Sequence, residues 1–136
     1  MPEAQPPTSP FDLPDDPGPP AALIRMLAMW NERDVSRVRA EIEAIFSPDV
    51  VFIDPANSIV GHDAFDRMVR VFRRRFPDAD LALASGVDAH HGLHRYDWKI
   101  EQAGELVIEG FDVTEIDGAG RVSRVLGFFG PLPPPG

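Results

Sequence analysis

The spacing of apolar residues changes once along the chain, near Pro77. Before it, large apolar side chains recur every three or four positions, which predicts helices over 21–31, after a cap at Asp34, and over 62–76. After it, apolar and polar residues alternate, which predicts strands over 79–86, 88–102, 105–116 and 121–129. Helices followed by strands indicate an α+β fold. We expect a cone, in which three N-terminal helices pack on a curved, mostly antiparallel sheet that encloses a pocket.

Short connections separate the helices from the first strand. Ser47-Pro48-Asp49 ends the second predicted helix, and residues 50–54 are predicted to form a short strand. A turn follows this strand and leads to an extended pair, Ile59–Val60, before the third helix.

Proline is concentrated at the two ends of the chain. Residues 1–20 hold 8 of the 15 prolines together with four acidic residues, and residues 133–136 form a second proline-rich end. Such a composition is typical of a disordered tail. We therefore expect a single folded domain over 21–132.

Two aspartates are candidates for chemistry. Asp54 ends the apolar run 50–53 and precedes Pro55, whereas Asp112 lies in the strand-like run 106–113 on its apolar face. A carboxylate on an apolar face is costly unless it is paired or protonated, which suits acid–base work. Plainer interpretations stay open, because Asp-Pro is also a common turn pair and Asp112 could be a structural carboxylate.

The strand predicted over 88–102 has two unlike faces. One face carries Arg95 and Asp97, and the other carries Tyr96 and Trp98, with His94 at its end. The apolar face should meet the helices, so Arg95 and Asp97 are expected on the outer face. The candidate pocket residues are Trp30, Met26, Phe52, Phe72, His94 and Trp98.

Composition and charge exclude several classes of partner. The chain has 136 residues, a net charge of −9 and a pI near 4.7, so neither nucleic acid nor an anionic membrane is an expected partner. It has no cysteine, which excludes thiol chemistry. No signal peptide and no apolar run long enough to span a bilayer are visible, so we expect a cytoplasmic protein. We expect no cofactor, since the sequence has no phosphate-binding glycine loop.

Two further clusters have plain explanations. His90, His91 and His94 lack the spacing of a metal site, so we expect surface or hairpin histidines and no metal. The arginines of the third helix, including the run 73–75, are expected on its solvent face.

Residues 21–132 resemble the nuclear transport factor 2-like superfamily, which includes ketosteroid isomerases, SnoaL-like polyketide cyclases and limonene epoxide hydrolases. One matching stretch is Phe52-Ile53-Asp54-Pro55, leading to Gly61 and the third helix. The other runs through Phe111-Asp112-Val113 and residues 117–122 to Phe128-Phe129-Gly130. The resemblance implies a small hydrophobic ligand, a homodimer formed through the outer face of the sheet, and a cofactor-independent proton transfer such as isomerisation, cyclisation or dehydration.

The resemblance also implies roles for individual residues. Asp54 takes the place of the isomerase's general base, and Asp112 takes the place of its protonated oxyanion donor. The isomerase's first-helix tyrosine falls near Met26, which cannot donate a hydrogen bond, so Tyr96 is a substitute candidate.

Two alternatives to an isomerase or cyclase stay open. Arg95-Tyr96-Asp97 resembles the Arg-x-Asp element of limonene epoxide hydrolase, but the second aspartate of that enzyme falls near Gly127. A non-catalytic ligand-binding or dimerisation module is the other alternative.

Overall fold

A computed structural model describes residues 18–136, which form one α+β domain. Three α-helices and one short 3-10 turn, Val35–Arg37, pack against a large curved sheet that does not close on itself. The helices are α1 Ala21–Trp30, α2 Val38–Ile45 and α3 His62–Arg75. The strands are β1 Phe46–Asp54, β2 Asn57–Val60, β3 Asp80–Leu83, β4 Asp88–His90, β5 Leu93–Gln102, β6 Glu105–Ile116 and β7 Val122–Phe129. The expected fold class is therefore confirmed.

The sheet order brings the two candidate aspartates close together. The strands follow the order β2-β1-β7-β6-β5-β3, with β4 paired to β5, and only β1 and β7 run parallel. Asp54 ends β1, and Asp112 lies directly opposite Gly127 of β7 in the β6–β7 pairing. A single strand therefore separates the two carboxylates.

The hydrophobic core lies between the helices and the concave face of the sheet. Phe46 and Phe65 are buried in its centre, with ring centroids 4.2 Å apart. Each helix contributes one apolar stripe, which is what the helical spacing predicts. The buried helical residues are Leu23, Met26, Met29, Val38, Ile42, Ile45, Phe65 and Val69.

The first strand begins four residues earlier than expected. Helix α2 ends at Ile45, and Phe46 already pairs in parallel with Val122. Pro48 has no backbone N–H and cannot continue a helix, so the chain becomes extended before it. Phe46 directly precedes Ser47-Pro48-Asp49 and so fell within the second predicted helix, but it fills the core from the strand instead.

The strand predicted over 88–102 is divided into β4 and β5 by a tight turn. His91 and Gly92 both have a positive φ, 49° and 78°, which reverses the chain between the two strands. The Nδ1 atoms of His90 and His91 lie 3.0 Å apart at this turn. The histidine pair thus lies at a hairpin turn, which alternation alone did not reveal.

Arg73 corrects the expectation that the arginines of α3 face solvent. Its side chain is only 6% exposed and donates to carbonyl oxygens of Trp30 at 2.7 Å and Ala79 at 2.8 Å. It also donates to those of Phe76 and Pro77, both at 3.2 Å. Burial lowers its pKa from the ordinary value, and the nearby charge of Arg33 adds to this. Arg73 therefore ties the ends of α1 and α3 to the start of β3.

Most of the proline-rich tail predicted over 1–20 lies outside the described residues. Its last three residues lead into α1, and the backbone N–H groups of Leu23 and Ile24 in the first turn donate to the carbonyl oxygen of Pro20. Within residues 18–136, no helix is long and apolar enough to cross a membrane.

Candidate active site

A cavity of about 510 Å³ lies between the helices and the concave face of the sheet. Asp54 and Asp112 both line it, and Asn57 and Arg75 are its other polar side chains. The rest of the wall is apolar, which favours a hydrophobic ligand with a few fixed polar contacts. The apolar wall consists of Trp30, Phe52, Ala56, Met68, Val71, Phe72, Phe76, Leu81, Trp98, Ile100, Val107, Ile108 and Phe129.

Asp54 is both a turn residue and a cavity residue. Its Oδ1 accepts hydrogen bonds from the backbone N–H of Ala56 at 2.8 Å and from Nδ2 of Asn57 at 3.0 Å. These bonds form the turn that the Asp-Pro pair predicts and fix the carboxylate at the end of β1. Within residues 18–136, Oδ2 of Asp54 has no hydrogen-bond donor, which leaves it available to accept a proton.

Asp112 is held by two donors on β5. The indole Nε1–H of Trp98 donates to Oδ1 at 2.9 Å, and the hydroxyl of Tyr96 donates to Oδ2 at 3.3 Å. Behind them, the hydroxyls of Tyr96 and Thr114 lie 2.7 Å apart, and Thr114 is fully buried. The carboxylate is therefore anchored on the sheet side while it borders the cavity on the other.

The environment of Asp112 raises its pKa towards neutral pH. Burial raises the pKa of Asp112 to about 6, with a further contribution from the charge of Asp54, although the hydrogen bonds from Trp98 and Tyr96 oppose the change. Burial and the charge of Asp112 also raise the pKa of Tyr96, whose hydroxyl therefore stays protonated. Any ligand that displaces water from the cavity should raise the pKa of Asp112 further, because desolvation is its main cause.

Two glycines make room for this arrangement. A Cβ atom on Gly127 would lie 2.8 Å from Oδ1 of Asp112 and 3.3 Å from Cβ of Asp54, so both aspartates border the space above this residue. A Cβ atom on Gly110 would clash with the backbone carbonyl of Phe128 and approach the Trp98 ring within 2.7 Å. Larger residues at either position would displace the side chains that define the site.

The structure separates the predicted pocket residues into two groups. Trp30, Phe52, Phe72 and Trp98 line the cavity, whereas Met26 and His94 do not. Met26 points into the core between the helices and is 2% exposed.

Two candidate site residues of β5, His94 and Tyr96, do not line the cavity. Within the described residues, Nδ1 of His94 is buried without a hydrogen-bond partner. Tyr96 lies behind Asp112 and does not border the cavity.

Some residues that line the cavity were not predicted from the sequence. A bulge sets Ile100 opposite Ile108 and Glu101 opposite Leu106, so Val107 is an extra residue that joins Ile108 in the wall. Arg75, which was predicted to face solvent, borders the same cavity. Neither position carries a sequence signal, since strand alternation ignores bulges and helical spacing assigned Arg75 to the polar face.

The elements that resemble limonene epoxide hydrolase lie outside the cavity. Arg95 and Asp97 are exposed on the outer face of β5, as alternation predicted, and Arg95 Nε pairs with Asp88 Oδ2 at 2.8 Å. Gly127 supplies no carboxylate. The geometry therefore does not support water activation by an Arg-x-Asp element.

Comparison with known proteins agrees with this fold. A provisionally assigned isomerase of the SnoaL-like family from Agrobacterium tumefaciens str. C58 is 28% identical, with a TM-score of 0.76 over 81% of this chain and 95% of that one. A provisionally assigned ketosteroid isomerase from Kribbella flavida DSM 17836 is 24% identical, with a TM-score of 0.63 over 85% and 82% of the two chains. At that identity the likeness concerns the fold alone.

The family assignment rests on the sequence match. No curated protein sequence matches the chain. An NTF2-like protein of unknown function from Exiguobacterium sp. 255-15 shares the fold, with 17% identity and a TM-score of 0.68 over 82% of this chain and all of that one. The family model of the SnoaL-like domain matches residues 23–125, most of the described domain. The chain therefore belongs to the SnoaL-like family, within the nuclear transport factor 2-like superfamily.

Proposed function

We propose that this protein is a cofactor-independent enzyme that transfers a proton on a small hydrophobic carbonyl compound. The observation that carries the proposal is the shared cavity of Asp54 and Asp112, which have different environments. Two carboxylates with unlike environments can act as base and acid in one reaction. Isomerisation, cyclisation and dehydration all begin with such a step.

Asp54 is the proposed base. Its free Oδ2 takes a proton from the carbon next to the substrate carbonyl, and the C–H electron pair moves into the carbon–carbon bond. The carbonyl oxygen becomes an enolate oxygen, which the protonated carboxyl of Asp112 stabilises by donating a hydrogen bond. Asp54 then returns the proton to another carbon, which completes an isomerisation without a cofactor.

Tyr96 supports this role indirectly. Its hydroxyl contacts Asp112 and Thr114, so it positions the carboxyl and does not touch the substrate. The similar structure from Agrobacterium tumefaciens str. C58, provisionally assigned as an isomerase, is consistent with the proposed reaction. Because this fold carries many activities, the argument rests on the site.

A non-catalytic ligand-binding module is the second candidate. The observation that favours it is Met26, which places no hydroxyl donor on α1 and lies in the core. Without a donor on α1, Asp112 is the sole side chain proposed to stabilise an enolate, which weakens the case for catalysis. Binding without turnover is the result expected from this candidate.

We also propose a homodimer through the outer face of the sheet. Phe111 and Phe128 stack there with centroids 5.1 Å apart, Phe128 is 56% exposed, and the exposed Ile53 follows on β1. Such an apolar patch is typical of an interface. Sedimentation velocity should show a dimer that Phe128→Asp converts to a monomer, whereas Ile24→Asp, at an equally exposed position on α1, leaves it intact.

The enzymatic proposal can be tested without knowing the substrate. Proton NMR in D2O should detect exchange of the α-protons of cyclic ketones and enones when the protein is added. Asp54→Asn should slow this exchange. Its matched control, Asp49→Asn, changes an exposed aspartate on the same strand, β1, and should leave exchange unaltered. If a broad panel of such compounds binds and none exchanges, the ligand-binding module is the better account.

A further inference from the structure

Arg75 is the one cationic side chain that lines the cavity within the described residues. It ends α3 and is exposed at the cavity's edge, beside the partly exposed side chains of Val71 and Val107. The other charged groups of the wall are Asp54 and Asp112. The cavity therefore carries charges of both signs on an otherwise apolar surface.

The guanidinium of Arg75 is not occupied by an acidic partner. Elsewhere on α3, Arg70 pairs with Asp66 at 3.0 Å and Arg73 donates to backbone carbonyls. The exposed Arg74 does not line the cavity. Among residues 18–136, no carboxylate lies within ion-pair distance of Arg75, whose guanidinium carbon lies 5.3 Å from the centroid of the Phe76 ring. The chain has a net charge of −9, so this unpaired cation beside the cavity is opposite in sign to the charge of the whole protein.

A row of neighbouring aromatic rings links the surroundings of Asp54 to those of Arg75. Phe52 precedes Asp54 by two residues on the same face of β1, and Phe76 lies beneath Arg75. Successive ring centroids are 6.1, 5.5 and 5.7 Å apart along the row Phe52, Trp30, Phe72 and Phe76. A ligand that fills the cavity along this row would therefore have one end near the carboxylates and the other near the guanidinium.

We propose that Arg75 binds an anionic group of the ligand, so that the cavity selects hydrophobic carbonyl compounds with a carboxylate remote from the carbonyl. This inference rests on the proposed function for the carbonyl end of the ligand. A planar guanidinium suits a carboxylate, with which it can form two parallel hydrogen bonds. The aromatic row accommodates the apolar body between the two ends.

Two naphthalene dyes test the inference in the full chain without any turnover. 8-Anilinonaphthalene-1-sulfonate is anionic, and N-phenyl-1-naphthylamine has the same ring skeleton without the sulfonate. Arg75→Gln should weaken the anionic dye by about fivefold, as for a partly exposed ion pair, and leave the neutral dye unchanged. Arg75→Lys should retain most of the preference, and Arg74→Gln, the adjacent exposed arginine, should change neither affinity.

Three results would overturn the inference. If Arg75→Gln and Arg74→Gln change the affinity for the anionic dye equally, the effect is one of overall charge. If Arg75→Gln weakens both dyes equally, the arginine contributes only its apolar side-chain surface to the cavity wall. Ile108→Trp, which fills the cavity, should weaken both dyes, and an unchanged anionic dye there would place its site elsewhere. The dye readout is independent of catalysis, so proton exchange on neutral ketones can succeed or fail separately.

Discussion

The indole Nε1 of Trp98 donates to Oδ1 of Asp112 over 2.9 Å, across the pairing of β5 with β6. This bond favours the charged carboxylate, whereas burial and the charge of Asp54 favour the neutral acid. The effect of burial outweighs that of the hydrogen bonds, and the pKa of Asp112 rises to about 6. The group can therefore exchange its proton near neutral pH, which an ordinary aspartate cannot do.

The raised pKa of Asp112 makes stability depend on pH. The folded protein binds this proton more tightly than the unfolded chain, so the contribution of Asp112 to stability falls as pH rises from about 4 to about 6. Asp112→Asn removes the ionisation, and it should raise the free energy of unfolding at pH 8 by up to about 3 kcal/mol. Urea unfolding at pH 4 and pH 8 measures this, and an equal effect at both values would contradict the raised pKa.

Asp112→Leu provides the matched comparison. It removes the same charge, but it leaves the donors of Trp98 and Tyr96 without their acceptor. An unsatisfied buried donor costs about 1–3 kcal/mol, so the leucine variant should be less stable than the asparagine variant at every pH. The reverse order would show that the hydrogen bonds to Asp112 do not stabilise the fold.

Catalysis should follow the protonation of Asp112. The proposed oxyanion donor is the neutral acid, so α-proton exchange should decline as pH rises through about 6. Asp112→Asn keeps an N–H donor at all pH values and should abolish this decline, at a lower maximum rate. A decline that persists unchanged in Asp112→Asn would assign it to another group.

Gly127 should be sensitive to a single added methyl group. The Cβ of Gly127→Ala would lie 2.8 Å from Oδ1 of Asp112, so the carboxyl must move. We expect a stability loss of about 1–3 kcal/mol and at least a tenfold loss of exchange rate. Gly118→Ala adds its Cβ in open space and should change neither quantity, and similar behaviour of the two variants would remove Gly127 from the account.

Arg73 should stabilise the fold far more than its neighbour Arg74. Arg73→Met removes the donor to four backbone carbonyls, including those of Trp30 and Ala79, and should lower the free energy of unfolding by about 2–4 kcal/mol. Arg74→Met, at an exposed position, should change it by less than about 0.5 kcal/mol. Chemical denaturation compares the two, and equal effects would contradict the structural role of Arg73.

The fold could be predicted because its pattern is local. Helical spacing and strand alternation follow from which face each element buries, and β6 has the predicted bounds, Glu105–Ile116. The start of β1 was missed because Phe46 satisfies a helical stripe and a strand equally well. The β4–β5 turn was missed because the backbone conformations of His91 and Gly92 leave little trace in hydrophobic spacing.

The site was less predictable because it depends on contacts between distant residues. Asp54 and Asp112 were recognisable from their apolar surroundings and from the family resemblance. The spacing of β5 did not predict that Tyr96 lies behind Asp112, and the burial of Arg73 depends on carbonyls that meet only in the folded chain. Gly127 marks a close approach between strands, which a single sequence does not reveal.

The base assigned to Asp54 is the central claim, and Asp54→Asn tests it most directly. The variant keeps an oxygen that can accept the turn hydrogen bonds of Asp54, so folding and ligand affinity should be nearly unchanged. The rate of α-proton exchange, measured by NMR in D2O, should fall at least a hundredfold, since general base catalysis typically contributes that much. A variant that binds the ligand normally and exchanges its protons at the rate of the unaltered protein would contradict the account.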